Sequence, residues 1–373
     1  MRLGVKAALV DGELVDGDVE VEVEDGVITR LGVAPAGAEG VAVPGFVDLH
    51  INGVAGVDFL AADPDAYDRA GEALARTGVV AYQPTLVSSD PGAYAEPLRA
   101  ASEAVARDAG GGRPLVLGVH LEGPFLSPEW PGAHDPAHLR LPDTALAERL
   151  LDGGPVTTMT LAPELAGALD LIDWLVARRV VVSCGHSDAD AELAHAAFDR
   201  GARAMTHVHN AHRRWRPRDP GVGGVALVRP EVTVQAIVDG VHLAPESALG
   251  AFLAAGRRFC LVTDAIEAAM LDAGEYELGG RPVRLRDGAV RLPDGTLAGS
   301  VLTMDEAVRN LVASGASWTD AVHAASTAPA RLIGRDDLGR LGPGLPAHLT
   351  VLDDELRVLR TLVSGREALS ASA

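Results

Sequence analysis

The chain has 373 residues, 47% of them hydrophobic, which is enough to bury the core of one large domain with a small appendage. Its formal net charge of −20 argues against a nucleic-acid or acidic-membrane partner, because phosphates attract an excess of Lys and Arg. No apolar run approaches the roughly 20 residues of a membrane span and the start does not resemble a signal peptide, so we expect a cytoplasmic protein.

Both ends of the chain carry short segments typical of β-hairpins. Residues 1 to about 43 place Asp-Gly turns between alternating segments such as residues 19–23. Toward the other end, residues 348–352 and 357–363 surround an Asp-rich turn. Neither piece can bury a core alone. We therefore predict one small β-sandwich domain built from residues 1–43 and 336–373.

Over residues 44–335, strand and helix patterns alternate. The eight predicted strands lie near residues 47–51, 79–82, 115–120, 157–161, 180–184, 204–207, 232–238 and 260–263. Helices are predicted at residues 65–77, 93–108, 165–179, 188–200 and 245–255. Eight alternations with short connections favour an α/β fold of the (β/α)8 TIM-barrel type over a doubly wound sheet. Gly-Gly and Asp-Gly turns at about residues 275–296 predict an inserted hairpin after the eighth strand.

Five side chains suited to metal binding or proton transfer stand at or just past the ends of predicted strands: Glu122, His186, His207, His242 and Asp264. Barrel closure brings such positions to one mouth. Two imidazoles and a carboxylate, as in Glu122, His186 and His207, form a common catalytic zinc set that leaves one position for water. Asp264 could take a proton from that water and deliver it to a leaving amine, and the alternative is a helix N-cap.

Other histidines near the predicted mouth have less defined roles. His50 and Asn52 follow the first strand, and both point inward by the alternation of a strand. Because Asn is a poor ligand for zinc, we predict one metal ion per subunit. His50 is then either a weak ligand of a second metal site or a hydrogen-bonding residue. His134 and His242, on loops after strands three and seven, could polarise a carbonyl or hold hydroxyls or phosphate.

Four arginines, Arg213, Arg214, Arg216 and Arg218, lie close together in an otherwise acidic chain. They follow a strand that supplies a predicted metal ligand. Local positive charge at such a place indicates an anion pocket, above all for phosphate. The alternatives are a solvated basic loop or a site of salt bridges between subunits.

Several motifs carry a resemblance to a known family. They span Pro44–Gly53, His120–Phe125, Gly132–Pro136, Gly185–Ser187, Thr206–Ala211, Asp239–His242, Val262–Ala265 and Gly295–Ser300. In these stretches the chain resembles the amidohydrolase superfamily and, within it, the N-acetylglucosamine-6-phosphate deacetylases. The resemblance runs from about residue 5 to 365. The combination of His-Leu-Glu-Gly-Pro with Thr-His-x-x-Asn-Ala is quite specific to these deacetylases.

The resemblance implies a divalent metal ion, zinc above all, on Glu122, His186 and His207. It implies Asp264 as the proton-transferring residue of amide hydrolysis, and His134 at the carbonyl oxygen of an amino sugar phosphate. The substrate contacts it implies come from Ala133, His134, Asn210, Ala211, Arg218, His242, Leu297, Ala298 and Gly299. In such enzymes Arg218 and His242 serve the neighbouring subunit's phosphate site, which predicts a homodimer.

The alternatives are a deacetylase of another N-acetyl-hexosamine phosphate, such as N-acetylgalactosamine 6-phosphate, and an N-acyl amino acid amidohydrolase. A more remote alternative is a non-catalytic scaffold, although such proteins usually lose the metal ligands. Two stretches depart from the usual pattern of the family, at residues 212–215 and 266–270. We expect both stretches to line the sugar pocket.

Overall fold

The computed structural model describes residues 1–107 and 112–368. The end of one predicted helix, Asp108, and residues 369–373 of the predicted small domain lie outside the described residues. The strands are β1 (Val5–Val10), β2 (Glu13–Asp16), β3 (Asp18–Glu22), β4 (Val27–Val33), β5 (Glu39–Pro44), β6 (Phe46–Ile51), β7 (Gly53–Val54), β8 (Val57–Asp58), β9 (Val79–Val87), β10 (Leu115–Val116), β11 (Val119–Glu122), β12 (Val156–Leu161), β13 (Val181–Cys184), β14 (Ala204–Met205), β15 (Thr233–Ala236), β16 (Phe259–Leu261), β17 (Gly274–Leu278), β18 (Arg281–Arg286), β19 (Ala289–Arg291), β20 (Leu349–Leu352), β21 (Val358–Val363) and β22 (Arg366–Glu367).

The α-helices are α1 (Pro64–Ala75), α2 (Ala95–Ala106), α3 (Thr144–Asp152), α4 (Ala168–Ala177), α5 (Ala191–Asp199), α6 (Gly221–Val228), α7 (Pro245–Ala255), α8 (Met304–Ala313), α9 (Trp318–Ala325) and α10 (Thr327–Leu332). Several begin at a side chain that caps free backbone N–H groups, such as Asp63, Asp143 and Asp190. Within the described residues, we find none with the length and apolar character needed to cross a membrane.

The main sheet is a parallel barrel. β6 pairs with β9, and the order then continues through β11, β12, β13, β14, β15 and β16, with β10 also pairing with β9. The barrel closes where the N–H of Asp264 donates to the carbonyl of His50 at 2.8 Å and that of Asn52 donates to Ala265 at 2.8 Å. The apolar strand residues are buried between the helices and the barrel interior. The predicted (β/α)8 fold is confirmed.

A second, smaller unit is built from both chain ends. Its six-stranded sheet has the order β2-β1-β5-β20-β21-β22, and the β3–β4 hairpin lies beside it. Apolar residues fill the space between them: Leu3, Val5, Ala8, Val19, Val21, Ile28, Ala42, Leu341, Ala347, Leu349, Val351 and Leu362. β5 of the N-terminal piece pairs with β20 of the C-terminal piece. The predicted β-sandwich from both ends is therefore present.

The insertion after the eighth barrel strand differs from the predicted hairpin. It is a three-stranded antiparallel sheet of β17, β18 and β19, because the turn at Asp287 and Gly288 starts a third strand after the expected pair. Its inner face packs Val283 and Leu285 against Ile266. That packing holds the inserted sheet at the mouth of the barrel, where the sheet contributes to the cavity described below.

Candidate metal centre and active site

A cavity of about 400 Å³ opens at the carboxyl ends of the barrel strands. Of the residues predicted for the site, those that line it are Glu122, Ala133, His134, His186, His207, Asn210, Ala211, His242, Asp264, Leu297 and Gly299. His50 is completely buried beneath the floor of the cavity. Residues scattered over the chain from strand three to the segment after the insertion are thus brought to one place.

The deepest part of the cavity holds three potential metal ligands. Oε1 of Glu122, at the end of β11, lies 3.1 Å from Nε2 of His186 and 3.0 Å from Nε2 of His207. The two imidazole nitrogens are 3.2 Å apart. All three residues are buried, and their ligand atoms could hold one ion together. These separations approach the edge of about 3.3 Å expected for a tetrahedron with metal bonds of ~2.0 Å.

The protonation states of these ligands also fit a cation. Nδ1 of His186 lies 3.0 Å from the carbonyl oxygen of Trp130, which can only accept a hydrogen bond. Neutral His186 therefore carries its proton on Nδ1 and presents a lone pair on Nε2. Burial would raise the pKa of Glu122, but the charge of His50 and a hydrogen bond from His134 hold it well below its ordinary value. The carboxylate is therefore ionised and the donor set suits a divalent ion such as zinc.

Of Glu122, His186, His207 and Asp264, the last three have left-handed backbone conformations, which are uncommon for residues other than glycine. The φ angles are 47° at His186, 29° at His207 and 50° at Asp264. Such conformations cost about 1–3 kcal/mol each and persist only where surrounding contacts enforce them. Here the N–H of Ser127 donates to the carbonyl of His186 at 2.9 Å, and that of Ser300 to Asp264 at 2.8 Å. Strain concentrated at these residues is typical of a functional site.

Asp264 faces the ligand triangle from the end of β16. Its Oδ1 accepts a hydrogen bond from the Asn52 side-chain amide at 2.6 Å and lies 3.2 Å from Nε2 of His50. The same His50 nitrogen is 3.3 Å from Oε2 of Glu122. Burial would raise the pKa of Asp264, but the charge of His50 and its hydrogen bond lower it. Asp264 is therefore an ionised carboxylate at the cavity surface, able to accept a proton.

His134 presents a hydrogen-bond donor to the same space. The backbone N–H of Ser88 donates to Nδ1 of His134 at 3.1 Å, so the neutral ring carries its proton on Nε2. That nitrogen lies 3.4 Å from Oε2 of Glu122, beside the ligand triangle. A carbonyl oxygen near these ligands would therefore meet a donor from His134.

Some predicted contacts lie elsewhere. Arg218 is exposed and does not line the cavity of the single chain. Arg213, from the same cluster, is engaged by Asp188 at 3.2 Å and Asp219 at 2.9 Å. Ala298 is buried in the apolar cluster beneath the inserted sheet, between its two cavity-lining neighbours. Neither Arg213 nor Arg218 therefore lines the cavity that contains the ligand triangle.

The two stretches that depart from the family pattern were also expected in the cavity wall, and this prediction is wrong. Neither residues 212–215 nor 266–270 line the cavity. His212 is buried behind the wall, where its Nε2 accepts from the N–H of His209 at 3.0 Å. Ile266 packs against the inserted sheet, and Trp215 is 63% exposed on a neighbouring surface groove. The departing residues therefore lie behind the cavity wall, against the inserted sheet or on a neighbouring groove, and not on the cavity surface.

Several cavity residues were missed from the sequence, Arg281 and Trp130 among them. Arg281, on the inserted sheet, lines the cavity and donates to the carbonyls of Ala133 at 2.9 Å and His134 at 3.1 Å. Trp130, on the loop before His134, lines it as well. For Arg281 the sequence contains no signal, because its position depends on how the insertion packs. An aromatic residue shortly before a predicted substrate loop could have indicated Trp130.

Comparisons with known proteins agree with this geometry. The Amidohydrolase family matches residues 41–368 of the chain. An N-acetylgalactosamine-6-phosphate deacetylase of Escherichia coli O157:H7 is 36% identical, over 94% of this chain and 95% of its own. Human N-acetylglucosamine-6-phosphate deacetylase is 39% identical, over 89% of this chain and 84% of its own. The crystal structure of N-acetylglucosamine-6-phosphate deacetylase from Thermotoga maritima matches with a TM-score of 0.91 at 34% identity, covering 100% of both chains.

A further solved structure bears on the ligand. It is that of a mutant of N-acetyl-D-glucosamine-6-phosphate deacetylase from Mycobacterium smegmatis, in complex with N-acetyl-D-glucosamine-6-phosphate. The match has a TM-score of 0.90 at 34% identity and covers 98% of both chains. A relative of the same fold thus accommodates an amino sugar phosphate.

Proposed function

The chain belongs to the amidohydrolase family, and we propose that it hydrolyses the N-acetyl amide of N-acetylglucosamine 6-phosphate to glucosamine 6-phosphate and acetate. One observation carries the proposal: the buried triangle of Glu122, His186 and His207 shares a cavity with an ionised Asp264. Retention of the complete ligand set argues against a non-catalytic scaffold. The named relatives support the sugar phosphate as substrate.

The side chains of the cavity divide the proposed reaction between them. Glu122, His186 and His207 would hold a divalent ion, which we propose to be a single zinc, and the ion would supply Lewis acidity to the amide carbonyl and to water. Asp264 accepts a proton from the water as its oxygen attacks the carbonyl carbon. His134 donates a hydrogen bond to the carbonyl oxygen as negative charge develops there. Asp264 then gives its proton to the sugar nitrogen as the C–N bond breaks.

We assign the remaining cavity residues to the sugar and its phosphate. We propose that Ala133, Leu297 and Gly299 contact the sugar, and that Asn210 and Ala211 lie near the phosphate. His242 was expected to serve the neighbouring subunit, but it lines the cavity of its own chain, and we assign it to the phosphate there. Its Nδ1 is 2.7 Å from Oδ2 of Asp239. Because Arg218 lies outside the cavity of its own chain, we propose that it reaches the phosphate of a second subunit in a homodimer. We further propose that the enzyme is cytoplasmic.

The second candidate substrate is N-acetylgalactosamine 6-phosphate, favoured by the similarity to the Escherichia coli O157:H7 deacetylase. Acetate release across N-acetyl-hexosamines, each with and without a 6-phosphate, and across N-acetyl amino acids distinguishes the candidates. We expect the highest kcat/KM with N-acetylglucosamine 6-phosphate. A higher value with the galactose epimer would transfer the assignment to that sugar, and a preference for N-acyl amino acids would overturn it.

The phosphate contact has its own test. A hydrogen bond to an ionised group contributes about 1.5–3 kcal/mol. At about 1.4 kcal/mol per tenfold change, Arg218→Ala should lower kcat/KM for the phosphorylated sugar by about 10- to 150-fold. The unphosphorylated sugar should be nearly unaffected, and Arg216→Ala, an exposed neighbour in the same cluster, is the matched control. Equal losses with both sugars would make Arg218 a structural residue.

A further inference from the structure

Trp130 stands where the loop of residues 127–136 meets the segment that carries His186. Three hydrogen bonds join the two segments. The N–H of Ser127 donates to the carbonyl of His186 at 2.9 Å, and Nδ1 of His186 donates to the carbonyl of Trp130 at 3.0 Å. Nε1 of Trp130 donates to Oδ1 of Asp188 at 2.8 Å. Trp130 therefore contacts the segment twice, at His186 through its backbone carbonyl and at Asp188 through its side chain.

The acceptor of the indole N–H is itself fixed. Oδ2 of Asp188 is paired with Arg213 at 3.2 Å, and the same guanidinium nitrogen donates to the Asp188 carbonyl at 3.1 Å. The backbone N–H of Asp188 donates to the carboxylate of Glu164 at 2.6 Å, and the hydroxyl of Ser187 donates to the same carboxylate at 2.7 Å. Because these contacts hold Asp188 in place, Asp188 can fix the position of the indole ring.

The two segments also approach each other closely. A Cβ atom at Gly132 would lie 2.9 Å from Cε1 of His186, and Gly132 has a φ of 57°. The imidazole therefore lies directly against the loop backbone, and a small displacement of the loop would move the ring. The indole of Trp130 is half-buried and lines the cavity that also contains the ligand triangle.

We propose that Trp130 is a positioning residue for His186, held by Asp188 and Arg213, and that its indole ring forms the aromatic wall against which the sugar lies. The first part concerns metal retention and stands without any substrate. The second rests on the proposed function, since an apolar ring face suits the C–H groups of a sugar. Trp130 thereby contributes both to the sugar pocket and to the orientation of the metal ligand His186.

Two substitutions separate the roles. Trp130→Phe keeps a ring in the cavity and the backbone carbonyl but loses the indole N–H. Removing an outer partner of a metal-binding histidine typically weakens metal binding by about 10- to 100-fold. Trp130→Phe loosens that partner, the Trp130 carbonyl, without removing it, so we expect a loss of about 10-fold, the lower end of this range, in Zn²⁺ affinity. The affinity is measured by competition with a chromophoric chelator, and KM at saturating Zn²⁺ should rise less than in Trp130→Ala. Trp130→Ala should show the same loss of affinity together with a raised KM.

Asp188→Ala should weaken Zn²⁺ binding at least as much as Trp130→Phe does, because it removes the indole contact and also the pair with Arg213. The double variant should be no weaker than Asp188→Ala, in which the indole contact is already lost. Trp215→Phe, a change at an exposed tryptophan outside the cavity, is the matched control. Wild-type Zn²⁺ affinity in folded Trp130→Phe and Asp188→Ala would overturn the positioning role. An unchanged KM in Trp130→Ala would overturn the sugar wall, and the affinity measurement holds whichever substrate proves correct.

Discussion

On one side of Glu122 the cavity floor holds two imidazoles, and on the other side it holds an imidazole, an amide and a carboxylate. Oε1 faces His186 and His207, which we call the ligand side. Oε2 lies 3.3 Å from His50, which with Asn52 and Asp264 forms the proton side. Glu122 completes a set of three potential metal ligands on each side. On the ligand side the set includes His186 and His207, and on the proton side it includes His50 and Asp264.

The two sides differ in what already occupies their lone pairs. On the ligand side, the proton of His186 points away toward the Trp130 carbonyl, so its free lone pair points toward Glu122 and His207. On the proton side, Oδ1 of Asp264 accepts the amide N–H of Asn52. An oxygen that is already hydrogen-bonded is a poorer ligand and a well-oriented base. We therefore propose that similar residue types serve ion binding or proton transfer here according to where their protons lie.

The ligand side should be the more sensitive to substitution. His207→Ala leaves two of the three ligands, so we expect bound metal and acetate release both to be lost. Elemental analysis of the purified variant, beside its rate, checks this. His209→Ala, two residues further along and exposed, should retain both. A His207→Ala protein with full metal content would abolish the distinction between the two sides.

Asp264→Asn should separate proton transfer from ion binding. The amide keeps the size of the side chain but cannot accept the proton, so kcat should fall by about 10²–10⁴. Metal content should stay at the wild-type level because all three residues of the ligand side remain. Near-normal turnover would remove Asp264 from the mechanism, whereas loss of metal would move it to the ligand side.

The sequence was sufficient for the barrel and for most of the floor, for a physical reason. Parallel strands buried on both faces are continuous apolar runs, and their ends meet at one mouth, so Glu122, His186, His207 and Asp264 could be grouped before their distances were known. The proton side was harder to foresee. Asn52 was interpreted as a weak ligand, and only the barrel seam, where β6 meets β16, brings it within 2.6 Å of Asp264.

The contacts that were missed depend on packing between segments distant in sequence. Arg281 reaches the carbonyls of Ala133 and His134 because the inserted sheet folds over the mouth, which local patterns do not indicate. The arginine cluster was interpreted from charge density alone, whereas Arg213 is paired with two aspartates. Composition can locate charge along the chain, but it does not reveal which charges are already neutralised by a neighbour.

Asn52→Leu tests the orientation of the base with a smaller expected effect. The substitution removes a hydrogen bond to an ionised carboxylate, which contributes about 1.5–3 kcal/mol, so kcat should fall by about 10- to 150-fold. KM and metal content should be nearly unchanged, since Asn52 is not on the ligand side. A fall as large as that of Asp264→Asn would indicate that the cavity floor has collapsed rather than that the base is misoriented.

The smallest expected effect is a change in metal count at the proton side. The wild-type protein should hold one ion per subunit. A ligand for a second ion would need a lone pair at position 52, whereas the Asn52 amide donates a hydrogen bond to Asp264. Asn52→His replaces that amide by a second imidazole beside His50, so metal content in excess Zn²⁺ should rise above one. Asn52→Leu is the control and should stay at one. Two tightly bound ions in the wild type would show that the proton side is itself a metal site, and the contrast between the two sides would then be one of affinity rather than of kind.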